Sequence, residues 1–387
     1  MLVADWIWFV FIFAFGCCIG SFLNVVIYRL PRDKSLVTPP SSCPACGRHI
    51  RFYDNIPLVS WLLLGRKCRF CKAPISPRYF VIELLTALVF IGVFVLYFRT
   101  DLRPGVDSFP QGGWLIYLAS IIMLSAFIAA SAIDLELWII PVSICWFVTA
   151  VGLIASTLGV YVIDPADITS YALLPTTKAV FVGDVTIASL TAGAAIGLPI
   201  SLLLLTTGLI KRSYESEDLQ DLPDKQQEST DEQDFNHRRE VCREIIFLLP
   251  IIVCSASAYW VTSKQAWWVD FSQRPVIAGL LGSLWGYFVG CGVVWATRIL
   301  GTLAFGKEAM GLGDVHLMGA AGAVIGAPFV IVAFFIAPFF GLAWVAIQMF
   351  FKKIRQIPYG PFLSLGVFAV IILHDKILNY LNFVFQC

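Results

Sequence analysis

Long apolar runs alternate with short polar segments along almost the whole chain, and this pattern predicts a bundle of membrane-spanning helices. A helix needs about 20 apolar residues to cross a bilayer. The run 315–351 is too long for one helix and contains the breaker Gly326-Ala327-Pro328, so it predicts a hairpin of two. We therefore expect an all-α polytopic fold of 8–10 transmembrane helices, with ten as the working number. The runs lie near 5–28, 79–98, 114–133, 138–160, 186–210, 245–263, 276–299, 315–351 and 361–383.

Composition agrees with a membrane protein. Hydrophobic residues make up 58% of the chain and charged residues 14%, whereas a soluble domain has about 25% charged residues. The net charge of +1 gives no indication of a nucleic-acid partner. Residues 1–27 lack the positive leader and the small-residue cleavage site of a signal peptide, so we interpret this segment as a retained first span.

The distribution of basic residues predicts the orientation. With the amino terminus outside, 21 of the 27 Lys and Arg residues fall in segments on the cytoplasmic side. Such a bias is the usual determinant of topology. Two acids at the ends of apolar runs, Asp134 and Asp314, are then both placed at the cytoplasmic face.

The same pattern divides the chain into five parts. The first helix covers 1–29, and a cytoplasmic module follows at 30–78. Membrane helices at 79–212 carry Asp134. Residues 213–244 are expected to form an acidic, disordered cytoplasmic loop, because 213–236 hold nine acids and one Lys. The remaining helices, at 245–387, carry Asp314.

Four of the eleven cysteines are clustered in the module. Cys43 with Cys46, and Cys68 with Cys71, form two C-x-x-C pairs separated by 21 residues. Two such pairs suit a closed, tetrahedral site with four cysteine ligands, so we expect a structural Zn²⁺. Redox-active dithiols and unliganded thiols remain alternatives. The other cysteines lie scattered in apolar segments and are interpreted as small membrane residues.

Asp134 and Asp314 are the strongest candidates for catalysis. An ionisable residue within a membrane segment is costly and marks a functional site by default. Glycines at 311 and 313 let a partner approach the backbone next to Asp314. The plainer interpretations are an acid at a helix end for Asp134 and a helix-capping residue for Asp314. Together, two close carboxylates would share one proton and activate water, as in aspartic proteases.

Several motifs resemble the type IV prepilin peptidases, membrane aspartic proteases of the GxGD class. They occur in the order found in that family and cover most of the chain outside its middle third. Ile133-Asp134 and Gly311-Leu312-Gly313-Asp314-Val315 resemble the two catalytic-aspartate motifs. The others are Gly20-Ser21-Phe22-Leu23-Asn24 through Pro31, the two C-x-x-C pairs, Tyr53-Asp54-Asn55-Ile56-Pro57, Ser60-Trp61-Leu62, Ile75-Ser76-Pro77-Arg78-Tyr79, Glu83-Leu84-Leu85-Thr86 and Pro358-Tyr359-Gly360-Pro361-Phe362.

The resemblance implies a function. Such enzymes lie in the bacterial inner membrane and cut the basic leader of prepilins and pseudopilins after a glycine, at the cytoplasmic face. Members with the cysteine module also methylate the new amino terminus with S-adenosylmethionine. The resemblance assigns Asp134 and Asp314 as the catalytic pair and assigns no residues to the methyl donor. The expected partners are prepilin leaders of a pilus or type II secretion system, and the bilayer.

Two departures from the family pattern stand out. The family usually has Lys two residues after the second aspartate, where this chain has His316. The acids are also 180 residues apart, more than in members with about eight spans. Two alternative functions remain open: a presenilin-like protease that cuts within membrane helices, and a transporter whose acids relay protons.

Overall fold

The computed structural model describes residues 5–100, 102–106, 109–178, 184–210, 237–350 and 358–385, and over these ranges the fold is helical. The described residues contain no β-strand, only two isolated bridges in the cysteine module. The predicted all-α class is therefore confirmed. The helices are α1 (Asp5–Arg29), α2 (Val59–Leu63), α3 (Pro77–Phe98), α4 (Trp114–Leu137), α5 (Val142–Leu158), α6 (Pro165–Ser170), α7 (Asp184–Thr206), α8 (His237–Thr262), α9 (Ala266–Ser272), α10 (Pro275–Phe305), α11 (Leu312–Ile325), α12 (Ala327–Phe350), α13 (Gly360–Ile372) and α14 (His374–Phe385).

The number of candidate spans agrees with the predicted range of 8–10 and is lower than the working number of ten. Among the described helices, eight are long and apolar enough to cross a membrane, or nine if α13 and α14 form one broken span. The 14 residues of α11 extend only about 21 Å, less than the roughly 30 Å of a bilayer core. The run 361–383 is not straight, because α14 bends by 78° from α13. The polar sequence His374-Asp375-Lys376 opens α14, which is an amphipathic helix.

The acidic loop predicted at 213–244 falls mainly outside the described residues. Its predicted end is wrong, because α8 begins at His237 and residues 237–244 form its first two turns. These turns contain Arg and Glu, which are good helix formers. Because these turns are polar, hydropathy alone does not identify them as part of a helix.

The aspartates lie on the two most enclosed helices. Of the 14 residues of α11, ten are buried, and the helix packs against α4, α5, α10, α12 and α13. Such enclosure explains why a helix too short to span the bilayer is stable here, since surrounding protein rather than lipid covers its ends. The apolar part of α4 is 72% buried, more than in any other long helix described.

Small residues allow neighbouring helices to pack closely. A Cβ atom on Gly16 of α1 would lie 2.7 Å from the Cα of Ala87 on α3. On α10 and α11, a Cβ on Gly286 or Gly322 would lie 2.0 Å from the carbonyl oxygen of the other residue. Contacts of this kind replace the hydrophobic effect as the source of helix association in a membrane. They hold α11 firmly against α10.

Candidate active site and metal centre

Asp134 lies in the last turn of α4 and is 5% exposed. The helix is capped by Trp138, whose φ of 59° turns the chain and whose N–H donates to the Asp134 carbonyl at 2.9 Å. The Asp134 carboxylate accepts a hydrogen bond from the N–H of Gly360 at 3.1 Å. The end of α4 is thereby joined to the start of α13.

Asp314 lies in the first turn of α11 and is 8% exposed. Gly311 caps this helix in an extended conformation, and its amide interacts with the Asp314 carboxylate. An acid three residues after the cap that reaches back to the cap amide is a common way to begin a helix. The capping interpretation of Asp314 is therefore compatible with the geometry. In this position the Asp314 carboxylate also lies near the carboxylate of Asp134.

Ile140 links the surroundings of the two aspartates. A Cβ on Gly360 would lie 2.6 Å from Asp134 Oδ2 and 3.0 Å from Ile140 Cδ1. A Cβ on Gly313 would lie 2.8 Å from the Cβ of the same isoleucine. The Asp134 and Asp314 carboxylates are within electrostatic range of each other. Two acids distant in sequence thus share one site at one end of the bundle, and two glycines allow its helix ends to pack closely against Asp134 and Ile140.

His316 does not join this pair. Its Nδ1 lies 3.5 Å from the hydroxyl of Tyr287 on α10, and its ring centroid lies 6.2 Å from that of Trp146 on α5. Among the contacts of the described residues, none connects His316 to either aspartate. The side chain lies two positions after Asp314 and points to another part of α11's surroundings.

The four clustered cysteines form one compact group, as the spacing predicts. Their sulfur atoms all lie within 4.8 Å of one another, and the sulfurs of Cys43 and Cys71 are 3.8 Å apart. Tetrahedral zinc with Zn–S bonds of about 2.3 Å requires sulfurs about 3.8 Å apart. Each pair lies in a tight turn closed by a bridge, Ser42 with His49 and Lys67 with Pro74. The residues fit a four-sulfur metal site.

The electrostatics of the cysteine group favour a cation. Backbone N–H groups of Cys71 and Phe70 lower the pKa of the Cys68 thiol to about 6. The pKa of Cys71 is raised to about 11, although the Ala73 amide acts in the opposite direction, because desolvation and the thiols of Cys68, Cys46 and Cys43 oppose its ionisation. Since metal ligation requires ionised thiols, a cation bound among the four sulfurs would stabilise their charged form.

Two contacts attach the cysteine module to the bundle near Asp134. The N–H of Leu58 donates to the Glu83 carboxylate on α3 at 2.7 Å. Arg78, at the start of α3, forms an ion pair with Glu136, two residues beyond Asp134. The cysteine group and the aspartates therefore lie at the same end of the molecule.

Comparison with protein-family models identifies two matching segments. Residues 14–97 match the bacterial Peptidase A24 N-terminal domain, and residues 234–346 match the type IV leader peptidase family. Together these segments make up half of the chain. The chain belongs to the type IV leader peptidase family. Both ranges contain residues of the candidate sites, the four cysteines in the first and Asp314 in the second. Asp134 lies between the two ranges, so its assignment depends on the geometry.

Curated relatives of this leader peptidase family member carry consistent names. A prepilin leader peptidase/N-methyltransferase from Myxococcus xanthus is 44% identical over 135 residues, which is 35% of this chain and 36% of the relative. A type 4 prepilin-like proteins leader peptide-processing enzyme from Escherichia coli is 41% identical over 36% of this chain and 54% of the relative. A prepilin leader peptidase/N-methyltransferase from Aeromonas hydrophila is 34% identical over 41% and 58%, respectively. The chain thus spans between about a third and three fifths of these relatives' lengths. No solved structure matches the chain.

Sequence reasoning misses residues that shape the site in this leader peptidase family member. Gly360 stands out in the sequence only as part of a cytoplasmic turn, yet its N–H contacts Asp134. From the sequence, Arg298 is expected to be one of the basic residues on the cytoplasmic side. In the structure it is fully buried and forms ion pairs with two acids, Glu244 and Glu308. Its location within the otherwise apolar helix α10 is the feature of the sequence that could have indicated a buried charge. Its partner, Glu244, lies 54 residues earlier and could not be paired with it from sequence.

Proposed function

We propose that this protein is a membrane aspartic endopeptidase that removes the leader of prepilins or pseudopilins. The observation that carries the proposal is the pair of buried aspartates, Asp134 and Asp314, which meet around Ile140 at one end of the bundle. The family membership and the names of the relatives support the substrate class.

In the proposed mechanism the two carboxylates hold one proton and one water molecule between them. The ionised carboxylate takes a proton from the water as its oxygen attacks the scissile carbonyl carbon. The protonated carboxyl donates a hydrogen bond to the carbonyl oxygen. As the C–N bond breaks, the departing nitrogen receives a proton from the pair. The Gly360 N–H fixes the direction of the Asp134 carboxylate throughout.

The cysteine group is proposed to hold a structural Zn²⁺ through Cys43, Cys46, Cys68 and Cys71. Four protein ligands leave no position for a substrate, so the ion stabilises the module. The ion pair between Asp54 and Arg69 supports the same fold: Arg69 Nη2 lies 2.5 Å from Asp54 Oδ1, and a hydrogen bond from Arg69 lowers the Asp54 pKa.

A second activity, methylation of the new amino terminus with S-adenosylmethionine, is proposed from the names of the relatives. The protein is placed in the bacterial inner membrane with its amino terminus outside and the aspartates at the cytoplasmic face. The supporting observation is the bias of Lys and Arg toward that side. His316 and the glycines 311 and 313 are retained as supporting residues, the glycines because Gly311 caps α11 beside Asp314 and Gly313 packs against Ile140.

The alternatives receive less support. Proton-relay acids of a transporter are expected near the middle of the bilayer, in broken helices. Asp134 and Asp314 instead occupy the last turn of one helix and the first turn of another. An intramembrane protease of the presenilin type would share the aspartates but does not account for the cysteine module.

The direct test is to incubate the purified protein with a candidate prepilin and a labelled methyl donor, and to measure cleavage and methylation separately. Asp134→Asn and Asp314→Asn are each expected to abolish cleavage. Both variants should retain wild-type thermal stability in detergent, because Asn has nearly the same shape as Asp. Full cleavage by either variant would exclude the two-aspartate mechanism.

A further inference from the structure

Arg298 is the largest fully buried side chain of the described residues, with 0% exposure, and it lies beside the segment that leads to Asp314. Its Nε donates to Glu244 Oε1 at 2.6 Å, and its Nη1 donates to Glu308 Oε1 at 2.7 Å. Nη1 also donates to the carbonyl oxygen of Met310. A buried charge is costly unless ion pairs and hydrogen bonds compensate for it. Such an arrangement is expected to hold its parts in one geometry.

The segment 306–311 connects α10 to α11 by folding back along α10. It begins at Gly306, whose φ of 69° ends the helix. The Ala309 N–H then donates to the Thr302 hydroxyl at 3.4 Å, and Met310 reaches Arg298. Met310 directly precedes Gly311, the residue that caps α11, and Asp314 follows three residues after the cap. The peptide that Arg298 holds therefore determines where α11 begins.

Glu244 on α8 binds the Nε of Arg298, whereas Glu308 and Met310 bind its Nη1. Its side chain is 1% exposed and accepts hydrogen bonds from Arg298 and from Trp295 Nε1, the latter at 3.2 Å. Phe247, one turn further along α8, stacks on Trp295 with ring centroids 5.4 Å apart. Two hydrogen bonds and an aromatic contact thus join α8 to α10, and one of these hydrogen bonds is made by Arg298.

We propose that Arg298 is a positioning residue that fixes Asp314 through the Met310 carbonyl and the Glu308 carboxylate, with Glu244 on α8 as its anchor. Arg298 lies within electrostatic range of Asp314 but acts on it through the intervening backbone. The inference rests on the proposed peptidase function for its kinetic test and is independent of it for its structural test. A simple strut between α8 and α10 is the competing role.

The kinetic test compares Arg298→Gln and Arg298→Lys with the wild type on a prepilin substrate. A displacement near 1 Å costs about 100-fold in rate, so we expect kcat to fall roughly 10- to 100-fold in Arg298→Gln. KM should stay nearly constant, because Arg298 is fully buried and therefore not accessible to substrate. Arg298→Lys, which keeps the charge and one donor, should recover part of the loss. Glu240→Gln is the matched control, since it alters an ion pair with Arg243 within α8 and leaves Arg298, Glu244 and Glu308 unchanged.

A charge swap distinguishes a role of Arg298 in positioning Asp314 from a purely structural link between α8 and α10. Arg298→Glu combined with Glu244→Arg preserves opposite charges on α8 and α10 but removes the donor to the Met310 carbonyl. Continued low kcat in this variant supports positioning, whereas full recovery overturns it. If the Arg298 variants fail to fold, Glu308→Gln serves instead, because the Glu308 side chain is 44% exposed and its loss is tolerable. A smaller fall in kcat is expected there, and unchanged kcat overturns the proposal.

Amide hydrogen exchange of residues 306–313 provides the structural readout without any substrate. We expect faster exchange in Arg298→Lys and Glu308→Gln, and no change in Glu240→Gln. Wild-type rates in both former variants would refute the inference even if the protein cleaves prepilins. Conversely, if the two variants exchange faster but the wild-type protein cleaves no prepilin, the positioning role is retained and the proposed peptidase function is rejected.

Discussion

Gly360→Ala offers a sharp test of the candidate active site, because the structure allows the size of the effect to be estimated. The added Cβ would lie 2.6 Å from Asp134 Oδ2, whereas ordinary contacts of a Cβ begin at 3.4 Å and contacts under 3.0 Å essentially never occur. The carboxylate must therefore move by about 0.4–0.8 Å. The φ of Gly360 is not in the left-handed region, so the backbone accommodates Ala and the perturbation is confined to the contacts with Asp134 and with Ile140 Cδ1, 3.0 Å from the added Cβ.

The movement also lengthens the 3.1 Å hydrogen bond from the Gly360 N–H to Asp134. Displacements approaching 1 Å reduce rates by up to about 100-fold. We therefore expect kcat to fall roughly 10- to 100-fold, or about 1.4–2.7 kcal/mol in activation free energy. Substrate binding at sites away from Asp134 should persist, so KM should change little. The assay is single-turnover cleavage of a prepilin by the purified variant, with thermal unfolding measured in parallel.

Gly292→Ala is the matched control for this prediction. Gly292 is a helical glycine on α10, and a Cβ added there meets nothing within 4 Å. It should leave activity unchanged and stabilise its helix slightly. Wild-type kcat in Gly360→Ala, with the same melting temperature as the control, would refute the placement of Gly360 against the Asp134 carboxylate.

Two further predictions concern the metal centre and His316. Purified wild-type protein should contain about one zinc ion per chain, measured by atomic emission, and Cys43→Ser with Cys46→Ser should lose it and unfold the module at lower temperature; a native protein free of metal contradicts this. His316→Gln should reduce cleavage far less than the roughly 10²–10⁴-fold expected for loss of a general acid or base, since His316 contacts Tyr287 and Trp146. A loss as large as in Asp314→Asn would show that His316 takes part in the chemistry.

Hydropathy alone locates most of the bundle, because a helix that faces lipid must be apolar along its whole length. Prediction from hydropathy fails where a helix is surrounded by protein and not by lipid. The run after Asp314 has the composition of a span, but α11 is enclosed by other helices and needs no more than 14 residues. The start of α8 is missed for the opposite reason, since its first turns are polar although Glu244 is buried.

The candidate site divides in the same way. Asp134 and Asp314 could be predicted because each acid stands out at the end of an apolar run. The partners that orient them could not. The Gly360 N–H is 226 residues from Asp134, and Glu244 is 54 residues from Arg298. These contacts depend on how the helices pack, and no local pattern encodes that packing.

The contact between Arg298 and Met310 sets the level at which α11 begins beside the longer α10. The 31 residues of α10 extend about 46 Å, and Arg298 lies seven residues, or about 10 Å, before its end. Because the segment 306–311 folds back to bring Met310 to Arg298, α11 begins below the end of α10 rather than level with it. Asp314 is thus recessed within the bundle, where it meets Asp134.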